Sequence, residues 1–167
     1  LALVYANEMP GNIYFGKVKI RDWAIAGLNY WASIQHSDGS FDEFYPNERG
    51  WVGPTAFTTY TSIESYNILR NEMTGDDAQQ LESAIKKAAY FIAEGESEED
   101  HLANHHAMAC LAVWKAYKLF GDDDLLKGYK KLWKGFLSYH VADEGWSREY
   151  DGIDPGYLSA TVSFLGK

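Results

Sequence analysis

Residues 97–120, SEEDHLANHHAMACLAVWKAYKLF, decide the fold that we predict for this chain. Ser97 and Asp100 have the spacing of a capping box, and acidic side chains in a first turn suit the positive end of a helix dipole. We therefore expect a helix from about residue 97 to residue 120. Its side chains are apolar on almost every side, which indicates a buried helix. Near its start, however, it carries three polar side chains that a buried helix must pair or use: Asn104, His105 and His106.

The other segments also predict helices, and these are of two kinds. Apolar or small-polar segments begin near residues 54, 98 and 155, whereas amphipathic segments begin near residues 17, 76 and 122. No segment alternates convincingly with period two, so we predict an all-α chain. The alternation of buried with half-buried helices indicates an inner and an outer layer. Long loops over residues 36–53 and 142–154 separate some of these helices.

Two short repeats suggest how the helices are arranged. Gly75-Asp76-Asp77 recurs 46 residues later as Gly121-Asp122-Asp123, each time between a buried and an amphipathic segment. Loop 38–45 similarly resembles loop 143–150. Repeats of this size indicate stacked helical hairpins. We predict that residues 1–167 form a single α/α toroid domain, or a partial toroid, and that this domain is a fragment of a larger ring. Helix capping explains the aspartate runs better than a terpene-cyclase metal motif does.

The composition excludes several classes of partner. The 167 residues include 24 acidic and 15 basic side chains, so nucleic acid, an anionic membrane and a heavily sulfated polymer would all be repelled. Cys110, the single cysteine, falls in the buried helix and is predicted to be an inert core thiol. No apolar run is long enough to cross a bilayer and no targeting signal is recognisable. We expect a soluble protein; the sequence names neither its compartment nor its oligomeric state.

The stretch Trp31–Phe41, WASIQHSDGSF, resembles a turn motif of α/α toroid proteins, Q-x-x-D-G-S followed by Trp or Phe. The matching residues are Gln35, Asp38, Gly39, Ser40 and Phe41. The motif is found in the terpenoid cyclase and prenyltransferase-like superfamily and in carbohydrate-active toroids. The chain as a whole is most similar to heparinase II/III-associated, polysaccharide-processing proteins of uncertain function. This resemblance implies a polysaccharide or oligosaccharide as partner.

Toroidal polysaccharide lyases use an Asn, a His and a Tyr near one end of the inner helices. The resemblance assigns these roles to Asn104, His105 and either Tyr157 or Tyr150. β-Elimination beside a uronate needs the carboxylate neutralised, a base for the adjacent proton and an acid for the leaving oxygen. The structural alternative is that Asn104, His105 and His106 only bond neighbouring helices and loop carbonyls.

The two long loops combine acids with aromatic rings, as sugar-binding sites do, because rings stack on pyranose faces while charged groups bond hydroxyls and uronates. The first loop supplies Asp38, Asp42, Glu43, Tyr45, Glu48, Arg49 and Trp51, and the second supplies Trp146, Arg148, Glu149, Tyr150, Asp151 and Asp154. Glu149 or Asp154 would suit a glycosidase acid or base. The structural alternative is loop capping, with Trp51 and Trp146 closing one end of the toroid.

Two further features have simpler explanations. His101 and His105 have the i, i+4 spacing of a metal-binding pair, but the sequence offers no third ligand, so we predict neither metal nor cofactor. Glu64 lies within a predicted inner helix. It would either face the lumen with a raised pKa or pair with a Lys or Tyr of a neighbouring helix, and we favour the pair.

The leading functional hypothesis is a polysaccharide lyase that acts on a uronate-containing glycan by β-elimination. A glycoside hydrolase on the same fold is the alternative within the enzymes. A non-catalytic saccharide-binding or scaffold domain is the alternative outside them, because a fold alone does not determine activity.

Overall fold

The computed structural model describes residues 1–43, 52–95, 102–150 and 152–167. These ranges are mostly helical, and their seven α-helices are α1 Ala2–Glu8, α2 Val18–Ser33, α3 Val52–Leu69, α4 Gly75–Glu94, α5 Ala103–Phe120, α6 Asp123–Leu137 and α7 Pro155–Leu165. A 3₁₀ turn, Arg70–Glu72, follows α3. Two short strands, β1 His140–Val141 and β2 Trp146–Ser147, pair in an antiparallel hairpin between α6 and α7. Within the described ranges, no helix is both long and apolar enough to span a membrane.

The helices contact one another in two rows, which we call the inner layer and the outer layer after the predicted arrangement. Helices α1, α3, α5 and α7 contact one another in succession, and so do α2, α4 and α6. Helix α5 packs against α3, α4, α6 and α7, so it lies at the centre of the domain. The described residues establish these two helical layers and do not show a closed toroid.

Small side chains let the neighbours of α5 approach it closely. Its fully buried residues include Ala107, Ala109, Ala112 and Ala116, whose short side chains leave the space to larger residues of adjacent helices. Cys110 lies among them, and burial raises the pKa of its thiol to about 12. The thiol is therefore protonated at neutral pH, which confirms the predicted core role.

Helix α5 begins at Ala103, so the start predicted near residue 97 is wrong. Leu102 has φ −123° and ψ 83°, which lie outside the helical region. The first free N–H groups of the helix are satisfied by a distant segment: Ala103 N donates to the Arg148 carbonyl (3.2 Å) and Asn104 N to Glu149 Oε1 (2.6 Å). A cap supplied from so far along the chain leaves no local pattern to recognise. The predicted capping box lies outside the described residues.

The aspartates of the short repeat take different positions in the two copies. Asp122 caps α6 by accepting the N–H of the residue two positions on (3.1 Å), which confirms the capping interpretation there. Helix α4 is instead capped by Thr74, which accepts the N–H of Asp77 (3.2 Å). Gly121 ends α5 with φ 66°, whereas Gly75 is the first residue of α4. The repeat is therefore only approximate.

Two further boundaries differ from the prediction. Helix α6 ends at Leu137 and not near residue 141, because the chain turns into the β1–β2 hairpin. Strands of two residues are too short to give a recognisable alternation, so the all-α prediction missed them. Helix α3 begins at Val52, two residues before the proline that predicted its start.

The turn motif after α2 fastens that helix to α4. Gln35 Nε2 donates to the carbonyl oxygens of Ala84 (2.9 Å) and Gly39 (3.1 Å). Gly39 has φ 95°, and an added Cβ would lie 2.5 Å from the Lys87 carbonyl oxygen, so no other residue fits. Phe41 stacks on Trp31 with ring centroids 4.5 Å apart. The motif thus holds the two outer helices together.

Candidate active site

The starts of α3 and α5 lie at the same end of the inner layer. A Cβ built on Gly53, in the first turn of α3, would lie 2.3 Å from Nδ1 of His105, in the first turn of α5. Farther along both helices, Lys115 Nζ lies 3.2 Å from Glu64 Oε1. These two contacts show that α3 and α5 run parallel. The ion pair also confirms that Glu64 is paired with a neighbouring helix.

Asn104 and Glu149 bind each other at the start of α5. Glu149 Oε1 accepts the backbone N–H of Asn104 (2.6 Å), and Oε2 accepts its side-chain amide (3.0 Å). The two side chains are 3% and 2% exposed, so both are almost fully buried. Glu149 therefore caps α5 and fixes the orientation of the Asn104 amide, using both of its carboxylate oxygens.

The environment of Glu149 raises the pKa of its carboxyl group. Burial raises the pKa of this carboxyl group above its ordinary value, while the two hydrogen bonds from Asn104 act in the opposite direction. The pKa rises overall because removing the carboxylate from water costs more free energy than these two hydrogen bonds contribute. Backbone bridges from Glu149 to Leu102 and Gly152 hold the residue in place.

His105 is half-buried between α5 and α3. Its ring meets the edge of Phe57, with centroids 5.7 Å apart, and packs against the bare Cα of Gly53. The next residue, His106, stacks on Tyr139 with centroids 4.6 Å apart. The two histidines therefore lie on different sides of α5, and only His105 lies beside the start of α3.

Two exposed tyrosines lie where the second loop enters α7. Tyr150 and Tyr157 meet edge to face with centroids 6.1 Å apart, and the hydrogen bond between their phenols raises the pKa of Tyr150. Tyr150 has φ 52°, a left-handed conformation that is uncommon for a bulky residue. Asp154 caps α7 by accepting the N–H of Tyr157 (2.9 Å). The loop thus places a phenol pair just beyond Glu149.

A comparison with known protein families shows which family model matches this chain. The model of the ulvan lyase N-terminal domain matches residues 13–148. The chain belongs to the ulvan lyase N-terminal domain family. No curated protein and no solved structure matches the chain.

The family match extends from α2 through β2 and so includes Asn104, His105 and Arg148. Glu149 follows directly after the matched range, and Tyr157 lies beyond it. The resemblance of the whole chain suggested heparinase II/III-associated proteins, and the family that matches is the ulvan lyase N-terminal domain. It is nevertheless a family named for a polysaccharide lyase, and at that level the resemblance holds.

Other side chains predicted to bind substrate form local contacts. In the first loop, Asp42 Oδ1 lies 2.6 Å from His36 Nε2, and Asp38 accepts from Ser40 within its own turn. In the second loop, Trp146 Nε1 donates to Glu144 (2.6 Å). These contacts leave the substrate-binding role of the loops a prediction.

Several predicted residues lie outside the described part of the chain. They are Tyr45, Glu48, Arg49, Trp51, His101 and Asp151. Among the described residues, no group of three or more His, Cys, Asp or Glu side chains could hold a metal ion.

Gly53 is the residue of this site that the sequence analysis missed. Any larger side chain at this position would overlap the ring of His105. A glycine inside the first turn of a helix is unfavourable and usually marks a close approach. That signal was present in the Gly53-Pro54 pair, but the sequence does not say which side chain approaches.

Proposed function

We propose that this chain is the helical domain of a polysaccharide lyase that cleaves ulvan, or another uronate-containing glycan, by β-elimination. The observation that carries the proposal is the family match over residues 13–148. The geometry at the start of α5 supplies residues suited to the chemistry. A uronate-containing glycan is thus the proposed partner.

The reaction needs three groups, and the starting end of the inner helices offers candidates for each. We assign Asn104 to the substrate carboxylate, since its amide is held in one orientation by Glu149. His105 would take the proton from the carbon beside the carboxylate. As the bond from the neighbouring carbon to the glycosidic oxygen breaks, a carbon–carbon double bond forms. Tyr157, whose side chain is 40% exposed, would give a proton to the leaving oxygen.

The contacts of Glu149 favour a lyase over a glycoside hydrolase. A glycosidase acid must reach the glycosidic oxygen. Both oxygens of Glu149 accept hydrogen bonds from Asn104, so Glu149 is better suited to positioning Asn104. Asp154, the other candidate, caps α7.

Product analysis tests the proposal. The full-length protein is incubated with ulvan, and the ultraviolet absorbance and the masses of the products are followed. Elimination gives an unsaturated uronate at the new chain end, which is lighter by one water than the product of hydrolysis. Saturated products would contradict the lyase assignment, and binding without any cleavage would favour a saccharide-binding domain.

We also propose that the two layers continue into a larger α/α toroid. Helix α7 belongs to the inner layer, yet Val162 is 63% exposed and Leu165 and Ile153 are exposed too. Together with Trp133 and Phe136 of α6, residues of α7 line an apolar groove at the end of the outer layer. The next hairpin of the same polypeptide would cover this surface.

A charge placed in the groove tests this continuation. In the full-length protein, Val162→Asp should lower the free energy of unfolding by more than about 2 kcal/mol, because it would bury a carboxylate. Ile13→Asp, at an exposed site far along the chain, is the matched control and should change it by less than about 0.5 kcal/mol. Equal, small effects of both substitutions would contradict the larger toroid.

A further inference from the structure

A second polar cluster lies at the opposite end of the inner helices from Asn104. A cavity of about 390 Å³ opens beside the last turns of α3 and α5. Among the described residues, its lining includes one carboxylate, that of Glu64, and four cationic side chains: Arg70, Lys115, Lys118 and Lys167. They are four of only 15 Lys and Arg residues in a chain with a net charge of −9. The cavity is therefore locally positive in an otherwise acidic domain.

The one carboxylate of the cavity does not neutralise this charge. Glu64 is paired with Lys115 at 3.2 Å. Lys118 Nζ lies 5.7 Å from the ring centroid of Trp114, and Lys167 Nζ lies 5.2 Å from that of Tyr60. No ion pair in the described ranges links Arg70 to a carboxylate. Three cations thus remain without an acidic partner in the described structure.

Helix capping explains only part of this arrangement. Lys118 lies in the last turn of α5 and Arg70 directly follows α3, and cations at both positions stabilise helix C-termini. Lys115 is one turn earlier, and Lys167 comes from beyond α7. Cations from the last turns of α5 and from just beyond the ends of α3 and α7 converge, which raises their mutual repulsion, and a bound anion would relieve it. The half-buried ring of Trp114 adds a flat surface of the kind that stacks on sugars.

The position of the cavity relates it to the candidate active site. Asn104 and Lys115 are eleven residues apart, so they lie about 16 Å apart along α5. We infer that this cavity binds a uronate carboxylate of the glycan, several sugar units from the unit held at Asn104. The inference rests on the proposed function for the identity of the glycan. Trp114 would stack on the sugar that carries this carboxylate.

Paired charge removal tests the inference in the full-length protein. Arg70→Gln with Lys118→Gln removes two exposed cations, and Lys127→Gln with Lys131→Gln on α6 is the matched control. Affinity for ulvan is measured by calorimetry at low and moderate salt, and elimination is measured on ulvan and on its shortest cleavable oligosaccharide. We expect the first pair to weaken ulvan binding about tenfold and to flatten its salt dependence. Turnover of the short oligosaccharide should not change.

The outcomes separate this inference from the proposed function. Unchanged ulvan affinity in the Arg70/Lys118 double variant would overturn the inference and leave the lyase assignment intact. If the double variant binds ulvan more weakly but no protein, wild type included, catalyses elimination, the lyase assignment would be overturned. Binding of the glycan at the cavity would be supported. A wild-type protein that binds neither ulvan nor any other uronate-containing glycan would overturn both. Carboxyl-reduced ulvan should bind wild type and double variant equally, and a persisting difference would overturn the assignment to a carboxylate.

Discussion

At the starting end of the inner helices Asn104 and Glu149 are buried and bonded to each other, whereas at the far end the cationic groups surround an open cavity. Asn104 and Glu149 make two hydrogen bonds in almost complete burial. Arg70 and Lys118 are exposed, and in the part of the chain that the structure describes Lys115 is the one of these cations that pairs with a carboxylate. Buried side chains whose hydrogen bonds are all made keep a fixed geometry, and catalysis requires such a geometry. Exposed cationic side chains attract an anion over a distance, which favours the binding of an anionic polymer.

The largest effect should come from His105. His105→Ala removes the proposed base, so kcat/KM for ulvan should fall by about 10²–10⁴-fold. His140→Ala, in the hairpin away from the start of α3, is the control and should keep its activity. Steady-state rates of double-bond formation provide the measurement. Equal activity of both variants would show that His105 does not act in the reaction. The starting end of the inner helices would then not be the catalytic end.

A smaller, energetic effect is expected at Glu149. Glu149→Gln keeps the shape but turns an NH₂ group toward a donor of Asn104, leaving one buried hydrogen bond unmade. The free energy of unfolding, measured in urea, should fall by about 1–3 kcal/mol. No loss of stability would mean that this buried pair does not hold the start of α5.

The pH dependence of stability tests the raised pKa of the Glu149 carboxyl group. The pKa of Glu149 is raised above its ordinary value of 4.5 in the folded protein. Its contribution to the free energy of unfolding is therefore fully present below pH 4.5. That contribution is lost as pH rises through the folded pKa. Relative to Glu149→Gln, the wild type should therefore lose stability as pH increases from 4.5. A parallel pH profile of the two proteins would contradict the raised pKa.

The smallest effect is expected at the cationic end. Lys115→Gln breaks the ion pair with Glu64, but both side chains are partly exposed to water. The free energy of unfolding should change by no more than about 1 kcal/mol, and urea unfolding measures it. A loss as large as that of Glu149→Gln would mean that the two ends do not differ in the way described.

The layered arrangement of helices could be predicted from the sequence because burial leaves a local pattern. Apolar segments became α3, α5 and α7, and amphipathic segments became α2, α4 and α6. The pairing of Glu64 could be foreseen as well, since an acid within a buried helix needs a partner.

The site could be predicted only in part, because its key contacts join distant segments. Asn104 and Glu149 were both candidates, but as members of different mechanisms; nothing in the sequence indicated that they bind each other. The start of α5 was misplaced for the same reason, since its cap is Glu149 and not a nearby residue. Gly53 escaped notice because its importance depends on His105 of another helix.

The two similar loops also show where a local pattern misleads. Loop 38–45 and loop 143–150 share acids and aromatic rings. In the described part of the first loop, Asp38 closes a turn with Ser40. In the second, Glu149 crosses to a neighbouring inner helix. The same residue types thus take a local role in one loop and a long-range role in the other.

The structure of the full-length His105→Ala protein with a bound ulvan oligosaccharide tests the central claim most directly. We predict one uronate carboxylate within hydrogen-bond distance of the Asn104 amide and beside the start of α3. A second carboxylate should lie among Arg70, Lys115 and Lys118 when the oligosaccharide is long enough. An oligosaccharide bound away from the starting end of α5 would contradict the assignment of the active site.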